Sequence, residues 1–351
     1  MSEHGKTRAG VSSFAARFRQ QGSGYPMWEY GHTLIRSASG SVRDPSEILL
    51  IDGRYTVYFT FVPRPLTDGF FGSIYCSSCA ATDSPANPDS WTKPHEVIPQ
   101  GDPAHDHDGT GCFTPDCTYD GRHVYVFYTG LDSTHPKGFP SWSDPCEPEH
   151  ILVAKSTRPD GGFVKSIKRT PLNTDSRRLG FDEATVPGGH EMTCDEPLYC
   201  TSLIDHGQCW VMPDGERRYY FKGGGLGKGA VCLMRDLDEN WLNGRWHGPR
   251  PILRDPEGRH MEGILITRVD DRLFLQLQVF GHDNRPGPWV TWISDARDGI
   301  RWEYVGGAHR PKPDCLNPMS IGVYSPDNPL WGIGQFSGED GLMELAYMRV
   351  H

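Results

Sequence analysis

No run of apolar residues in this chain approaches the ~18 that a membrane-spanning helix needs. No cluster of lysines and arginines offers to neutralise phosphates either. With 45 acidic against 35 basic residues, the formal net charge is -10. Neither nucleic acid nor a membrane is therefore expected as a partner. The opening residues, MSEHGKTRAGVSS, lack the apolar segment of a secretory signal, which makes a cytoplasmic location the expectation. Of the 10 cysteines, Cys76 and Cys79 form a CxxC, but no second CxxC follows. Free thiols are expected there, not a zinc site. A G-x-S-x-G nucleophile elbow is missing, and GGGLGKG lacks the G-K-[ST] ending of a phosphate-binding loop.

What is present is punctuation and aromatic residues. The chain carries 41 Gly and 29 Pro, with 10 Trp, 14 Tyr and 15 Phe spread along its 351 residues. Many turns between aromatic runs indicate an all-β protein. The runs also repeat. SVRDPSEILLIDGRYTVYFT, from Ser41, has counterparts in FTPDCTYDGRHVYVFYTG, in the segment from Asp195 to Gly224, in MEGILITRVDDRLFLQLQVFG and, more weakly, in LNPMSIGVYSPDNPLWGIGQF. Each copy sets a polar residue beside Pro or Gly, then a short apolar strand, a turn and a second strand. The turns, Asp52-Gly53, Asp120-Gly121, Asp214-Gly215, Asp270-Asp271 and Asp327-Asn328, use the residues that hairpins prefer. A further strand with a polar turn follows most copies, and the chain ends on MELAYMRV, a fitting last strand. Five units of roughly 55 to 80 residues with about four strands each predict a five-bladed β-propeller. The propeller is expected over residues 27–351, after an N-terminal extension, 1–26, whose Ser12–Gln21 stretch suits one short helix. That extension is a candidate contact for a homodimer.

In a propeller, the loops entering the innermost strands gather at one mouth of the central channel. The entries are Asp44, Asp116, Asp195 with Glu196, Glu262, and Asn317 with Asp314. A single Asp-Pro pair is an ordinary turn former. Recurrence at the head of successive units makes the carboxylates candidates for chemistry, Asp44 and Glu262 above all. Crowded carboxylates repel one another and raise a pKa, which leaves one acid protonated and another ionised, as glycoside hydrolysis requires. At Asp195-Glu196 the choice stays open, because adjacent strand residues face opposite sides. Trp28, Tyr30, Phe113 and Tyr199 lie near these entries and could stack on sugars. His105 and His107 stand among Asp102, Asp106 and Asp108, while His190 and His260 each precede a candidate carboxylate. A substrate-contacting loop is the reading preferred for the first group, with no metal or other cofactor, although a divalent cation in the channel stays open. The second pair could donate a proton or hydrogen-bond a sugar hydroxyl.

RDPSEILLIDGRYTVYFT and FTPDCTYDGRHVYVFYTG together resemble the five-bladed propeller glycosidases of the furanosidase-like superfamily. The likeness is greatest to glycoside hydrolase family 117, the α-1,3-(3,6-anhydro)-L-galactosidases, with family 43 next. It spans Val42 to about Val305, and its specific motifs are the first two. The family's R-D-P-S general base falls on Asp44, and its F-T-P on Phe113, Thr114 and Pro115. Its H-D-P falls on Asp195-Glu196-Pro197, and its Y-Y-K-G on Tyr220-Phe221-Lys222-Gly223. Two departures stand out. Glu196 replaces the Asp before Pro, as family 43 commonly has it, and Met261 separates His260 from Glu262 where family 117 has adjacent His-Glu. The resemblance implies an inverting glycosidase that releases a terminal sugar from an oligosaccharide, with carboxyls roughly 6.5–9.5 Å apart. Asp44 is then the base; Glu196 or Asp195, with Glu262, supplies the acid and its tuning; His260 or His190 assists. Arg43, Thr114, Asp116, His107, His190 and Lys222 are the expected substrate contacts. The alternatives are a propeller that binds a glycan without cutting it, and a family 43-like arabinofuranosidase or xylosidase.

Overall fold

The computed structural model describes residues 24–65, 72–102, 106, 108–131, 149–166, 172–173, 205–223, 230–236, 241, 246–255, 259–281, 286–309, 311, 320–327, 329–338 and 340–351. Their strands form five antiparallel sheets arranged as the blades of a propeller. The first blade has an inner strand in two pieces, Gly40–Arg43 and Leu49–Ile51, followed by Arg54–Pro63, Ser73–Ala80 and His95–Ile98. The second runs outward from Gly111–Tyr119 through Val124–Leu131 and Glu149–Ser156 to the short Val164–Lys165 and Leu172–Asn173. The third is Asp205–Val211, Arg217–Gly223, Ala230–Asp236 and Trp246–Arg254; the fourth is Met261–Val269, Arg272–Phe280, Pro286–Asp295 and Glu303–His309. The helix expected at Ser12–Gln21, and the homodimer contact assigned to it, lie outside the described residues. No helix among the described residues is long and apolar enough to cross a membrane.

The fifth blade closes the ring. Its inner strands are Ile321–Tyr324, Trp331–Ser337 and Met343–Val350, and its outermost strand comes from the other end of the chain, Trp28–Ile35. Trp28 pairs with Val350 and Ile35 with Leu345. Strands from opposite ends of the described residues are thus hydrogen-bonded into one sheet, which closes the ring, with Trp28–Ile35 as its outer edge.

Alternation along the strands explains why they read as almost continuous apolar runs. Successive side chains point to opposite faces, and each face of a blade meets a neighbouring blade. Tyr58 packs with Val126 and Tyr128 of the second blade, whereas Val57 and Phe59 pack with Trp331 and Ile333 of the fifth. Phe127 joins Tyr219, Phe221 and Trp241, while Tyr220 turns to Leu275 and Trp292 of the fourth blade. Phe274 and Trp289 then meet Trp28, Phe336 and Met348. Each adjacent pair of blades therefore encloses one core, and every buried aromatic contributes about 2–3 kcal/mol of burial. Cys76 and Cys79 obey the same rule. Three residues apart, they enter the cores on opposite sides of the first blade, buried and free.

The expected turns at Asp52-Gly53, Asp120-Gly121, Asp214-Gly215 and Asp270-Asp271 join inner to second strands, with Asp52 and Gly53 both left-handed (φ 50° and 71°), as a tight two-residue turn requires; Asn328 of the fifth expected turn lies outside the described residues. At the opposite end of the inner strands the pairing breaks. Thr114-Pro115, His206-Gly207 and Gly263-Ile264 each set two residues against one on the neighbouring strand. In the first blade the strand is interrupted after Arg43, at Asp44. Asp44, Thr114, His206 and Gly263 all carry positive φ (54°, 47°, 45° and 68°). One bulge thus recurs at the same position in four blades, and bulges re-aim side chains. Gly207 is needed there, because a Cβ on it would sit 2.0 Å from the ring of Tyr219.

Candidate active site

The four bulges converge on the propeller axis. Asp44, Pro45, Thr114, Pro115, His206 and Gly207 line an axial cavity of about 20 Å³, room for a single water. Two regions flank it. The first belongs to Asp44, which is 1 % exposed. Its backbone N–H donates to Gln335 of the fifth blade at 2.7 Å, and Arg43 Nε donates to its Oδ2 at 2.9 Å. Its other oxygen, Oδ1, is buried and accepts no hydrogen bond among the described residues. An unsatisfied buried acceptor costs about 1–3 kcal/mol. That cost, together with a left-handed non-glycine residue, is the kind of strain that collects at functional sites.

The second region joins the third and fourth blades. Lys222, 1 % exposed, places its ammonium 2.8 Å from Asp205 Oδ1 and 3.1 Å from Glu262 Oε1. His206 Nε2 lies 3.2 Å from Glu262 Oε2 and 3.9 Å from Asp205 Oδ2, and His260 Nε2 contacts Glu262 Oε1. Burial works against ionisation of Glu262, but Lys222, His260 and His206 outweigh it and hold the carboxyl well below the usual carboxylate range. Asp205 goes the other way. Burial and the neighbouring Glu262 charge push its carboxyl up, against the pull of Lys222 and His206. Two carboxyls across one ammonium are thereby split into an ionised member and one biased toward holding a proton.

A second acidic pair, Glu47 and Asp116, is buried in the wall of the same axial cavity. Burial pushes Asp116 up to about 6, although the backbone N–H groups of Cys209 (2.5 Å) and Glu47 (3.5 Å) donate to it. Glu47 is raised well above its ordinary value by burial and then by the Asp116 charge, with the Val323 N–H at 3.2 Å opposing. Asp116 thus ties the second blade to the first and third. Gln208 ties the third to the fourth in the same way, its amide bonding both backbone groups of Ile266.

Of the residues singled out from sequence, Asp44, Arg43, Thr114, Asp116, Lys222, His260 and Glu262 stand in or beside these two regions. His260 and Glu262, separated by Met261, share a strand face, and that spacing is what lets them touch. Asp195, Glu196, His190 and His107 lie outside the described residues, as do His105, Asp314, Asn317 and Tyr199. The inner strand of the third blade begins at Asp205, and Asp205, His206 and Glu47 were not singled out in advance. The visible signal was His206-Gly207, one more polar–Gly pair ahead of an apolar run. Trp28 and Phe113 do not face a sugar site: both are buried, Trp28 with its indole N–H on Gln276 and Phe113 against Leu131. Asp108 Oδ2 is engaged by Lys165, Tyr128 and Cys112.

Asp205, His206 and Glu262 present donor atoms within 4.8 Å of one another, the spacing of a metal site. The Lys222 ammonium already lies between two of them, so a divalent ion would have to displace it. These residues do not fit a cation as they stand.

The fold and this acidic centre define a five-bladed propeller with a polar axial site. Among solved structures, the chain is similar to Zg3597, a family 117 glycoside hydrolase of the marine bacterium Zobellia galactanivorans, at 14% identity and a TM-score of 0.64 over 93% of this chain and 90% of that one. It is similar to BT0996, solved as an RGII complex, at 10% identity and TM-score 0.68, covering 96% and 95%. It is also similar to the Bacillus subtilis arabinanase Arb43A at 12% identity and TM-score 0.59, covering 91% and 96%. At such identities the likeness establishes the fold. No family model matches the chain, and no curated protein does.

Proposed function

We propose that this chain is a glycoside hydrolase that removes a terminal sugar from an oligosaccharide with inversion. The observation that carries the reading is Asp44: a buried carboxylate on a strained residue, one oxygen held by Arg43 and the other bare, beside an axial cavity that admits one water. An inverting base needs such an oxygen, aimed at the water it deprotonates. Asp205, which faces Glu262 across the Lys222 ammonium and is raised by burial and the Glu262 charge, takes the part of the proton donor in this reading. Glu262, Lys222, His206 and His260 set that bias and position the donor. Solved structures of the same fold whose names include a glycoside hydrolase and an arabinanase support the class.

Terminal 3,6-anhydro-L-galactose on agaro-oligosaccharides is the first substrate to try, and arabino- and xylo-oligosaccharides are the next. Incubation with all three, with NMR reading the first anomer released, tests the reading. The expected product has the opposite anomeric configuration to the substrate; a retained configuration overturns Asp44 as a base acting on water. Glycan binding without cleavage is the second reading. It is favoured by one observation, that the protein's own Lys222 already neutralises the Asp205–Glu262 pair. Bound but uncut sugars would select it.

A further inference from the structure

The axial cavity is small, and the larger cavity of the fifth blade is separate from it. About 610 Å³ in volume, it lies among Tyr30, Thr33 and Arg36 of the outermost strand and the turn after it, and Asp340, Met343 and Glu344 around the turn between the second and third strands. Its size is that of ligand pockets, which run about 300–1,000 Å³. Second strands end on the side where inner strands begin, so this cavity opens at the same end of the propeller as Asp44. The connection is physical. Met343 N–H donates to Ser41 Oγ at 3.1 Å, and Ser41 stands three residues before Asp44, about 10 Å along an extended strand.

Its walls are polar and partly fixed. Thr33 Oγ1 donates to Glu344 Oε1 at 2.5 Å, Tyr30 meets Phe336 edge-on at 4.8 Å, and Asp340 Oδ1 caps the turn by accepting from Leu342 N–H. Arg36 is exposed and makes no ion pair among the described residues. Carboxylates, hydroxyls and one guanidinium beside an aromatic edge and a methionine match a ligand with hydroxyls on its rim and C–H groups on its faces. That is a sugar ring. A nucleotide or phosphate would meet two carboxylates against a single arginine.

We propose that this cavity is a distal carbohydrate subsite, which holds a unit of the oligosaccharide remote from the bond at the axis and gives the protein a preference for longer chains. The proposal rests on the glycan reading above, and the test separates the two. Agaro-, arabino- and xylo-oligosaccharides of two, four and six units are titrated calorimetrically into Asp44→Asn protein, alone and combined with Arg36→Ala or Glu344→Gln. In one series, affinity should rise about tenfold with length. That gain should vanish with Arg36→Ala and shrink with Glu344→Gln, while the shortest ligand binds as before and thermal unfolding is unchanged. Affinity independent of length, or a length gain that both substitutions leave intact, overturns the subsite. Hydrolysis by protein with Asp44 intact is scored separately: a length gain dependent on Arg36 without any cleavage leaves the subsite standing and removes the hydrolase.

Discussion

Asp44 and Asp52 bracket the second piece of the first blade's inner strand, Leu49–Ile51, and both adopt left-handed backbone, φ 54° and 50°. Asp52 is exposed, and its conformation serves the tight turn to the next strand. Asp44 is 1 % exposed, followed by proline, anchored to another blade through Gln335, and left with a bare carboxylate oxygen. The same residue type in the same backbone region is thus a turn former at one end and a candidate base at the other. What separates them is what the left-handed residue is used for. At Asp52 it reverses the chain, as Asp-Gly does in many hairpins. At Asp44 it belongs to a bulge repeated at Thr114, His206 and Gly263, and all four bulges point inward.

The sharpest way to break this comparison is Asp44→Asn. The amide keeps the shape and the backbone hydrogen bond to Gln335 but cannot take a proton. Turnover should fall by about 10³-fold or more, with the melting temperature close to that of the parent. Steady-state kinetics on whichever oligosaccharide is cleaved, with a thermal melt beside it, decides the matter; an active, folded variant removes Asp44 from the chemistry.

Next in size is Lys222→Met. Here the loss should appear in stability before activity, because Asp205 and Glu262 would face each other in the core without their shared ammonium. Breaking a buried pair from one side costs about 3–5 kcal/mol. Urea denaturation should show that loss, and adding Asp205→Asn and Glu262→Gln should restore much of it. Were Lys222→Met as stable as the parent, the ammonium would not be what holds the two carboxyls together.

These contrasts also mark what the sequence made legible. The blades were, because two buried faces turn each strand into an aromatic run and Asp-Gly closes each hairpin. The positions of Asp44 and Glu262 were, because each stands beside Pro or Gly at the head of such a run; in the second blade that pattern pointed to Asp116, whereas the bulge falls at Thr114-Pro115, which only the family resemblance had marked. The third blade was harder to read. Both Glu196-Pro197 and His206-Gly207 precede the run CWVM, and local pattern cannot rank two polar residues, one before Pro and one before Gly, ahead of one strand. The strand itself begins at Asp205. Closure was hidden for another reason. Trp28 pairs with Val350, a contact across nearly the whole chain that no local periodicity reports, so a core tryptophan looks like a sugar platform. The Lys222–Glu262 contact has the same character, since it joins the second strand of one blade to the inner strand of the next.

A smaller effect is expected from the Glu47–Asp116 pair in the wall of the axial cavity. The folded protein holds Asp116 at about 6 against an ordinary 3.8, so it binds the proton more tightly than the unfolded chain does. That contribution is fully present below about pH 4 and is lost as pH rises through 6, to a limit of about 3 kcal/mol. Glu47, raised by burial and by Asp116, acts with the same sign. Glu262, held low, acts with the opposite sign and loses its contribution as pH falls. Comparing Glu47→Gln with the parent cancels Glu262. The variant should be no more stable at pH 4 but gain stability relative to the parent by pH 7, because glutamine keeps the Val323 hydrogen bond without the charge. Denaturation curves that differ equally at both pH values would show that the pair does not store a proton.

The smallest effect completes the comparison from its other end. Asp52→Asn should leave turnover unchanged and move stability by less than about 0.5 kcal/mol, since Asn and Asp both accept the left-handed turn position before glycine. Replacement by valine is the harsher probe, because a β-branched residue resists positive φ. It should lower the melting temperature and still leave kcat/KM on short substrates intact. An Asp52 variant that folds normally yet loses turnover would mean that the far end of this strand reaches the chemistry, and the division between the two aspartates would fail.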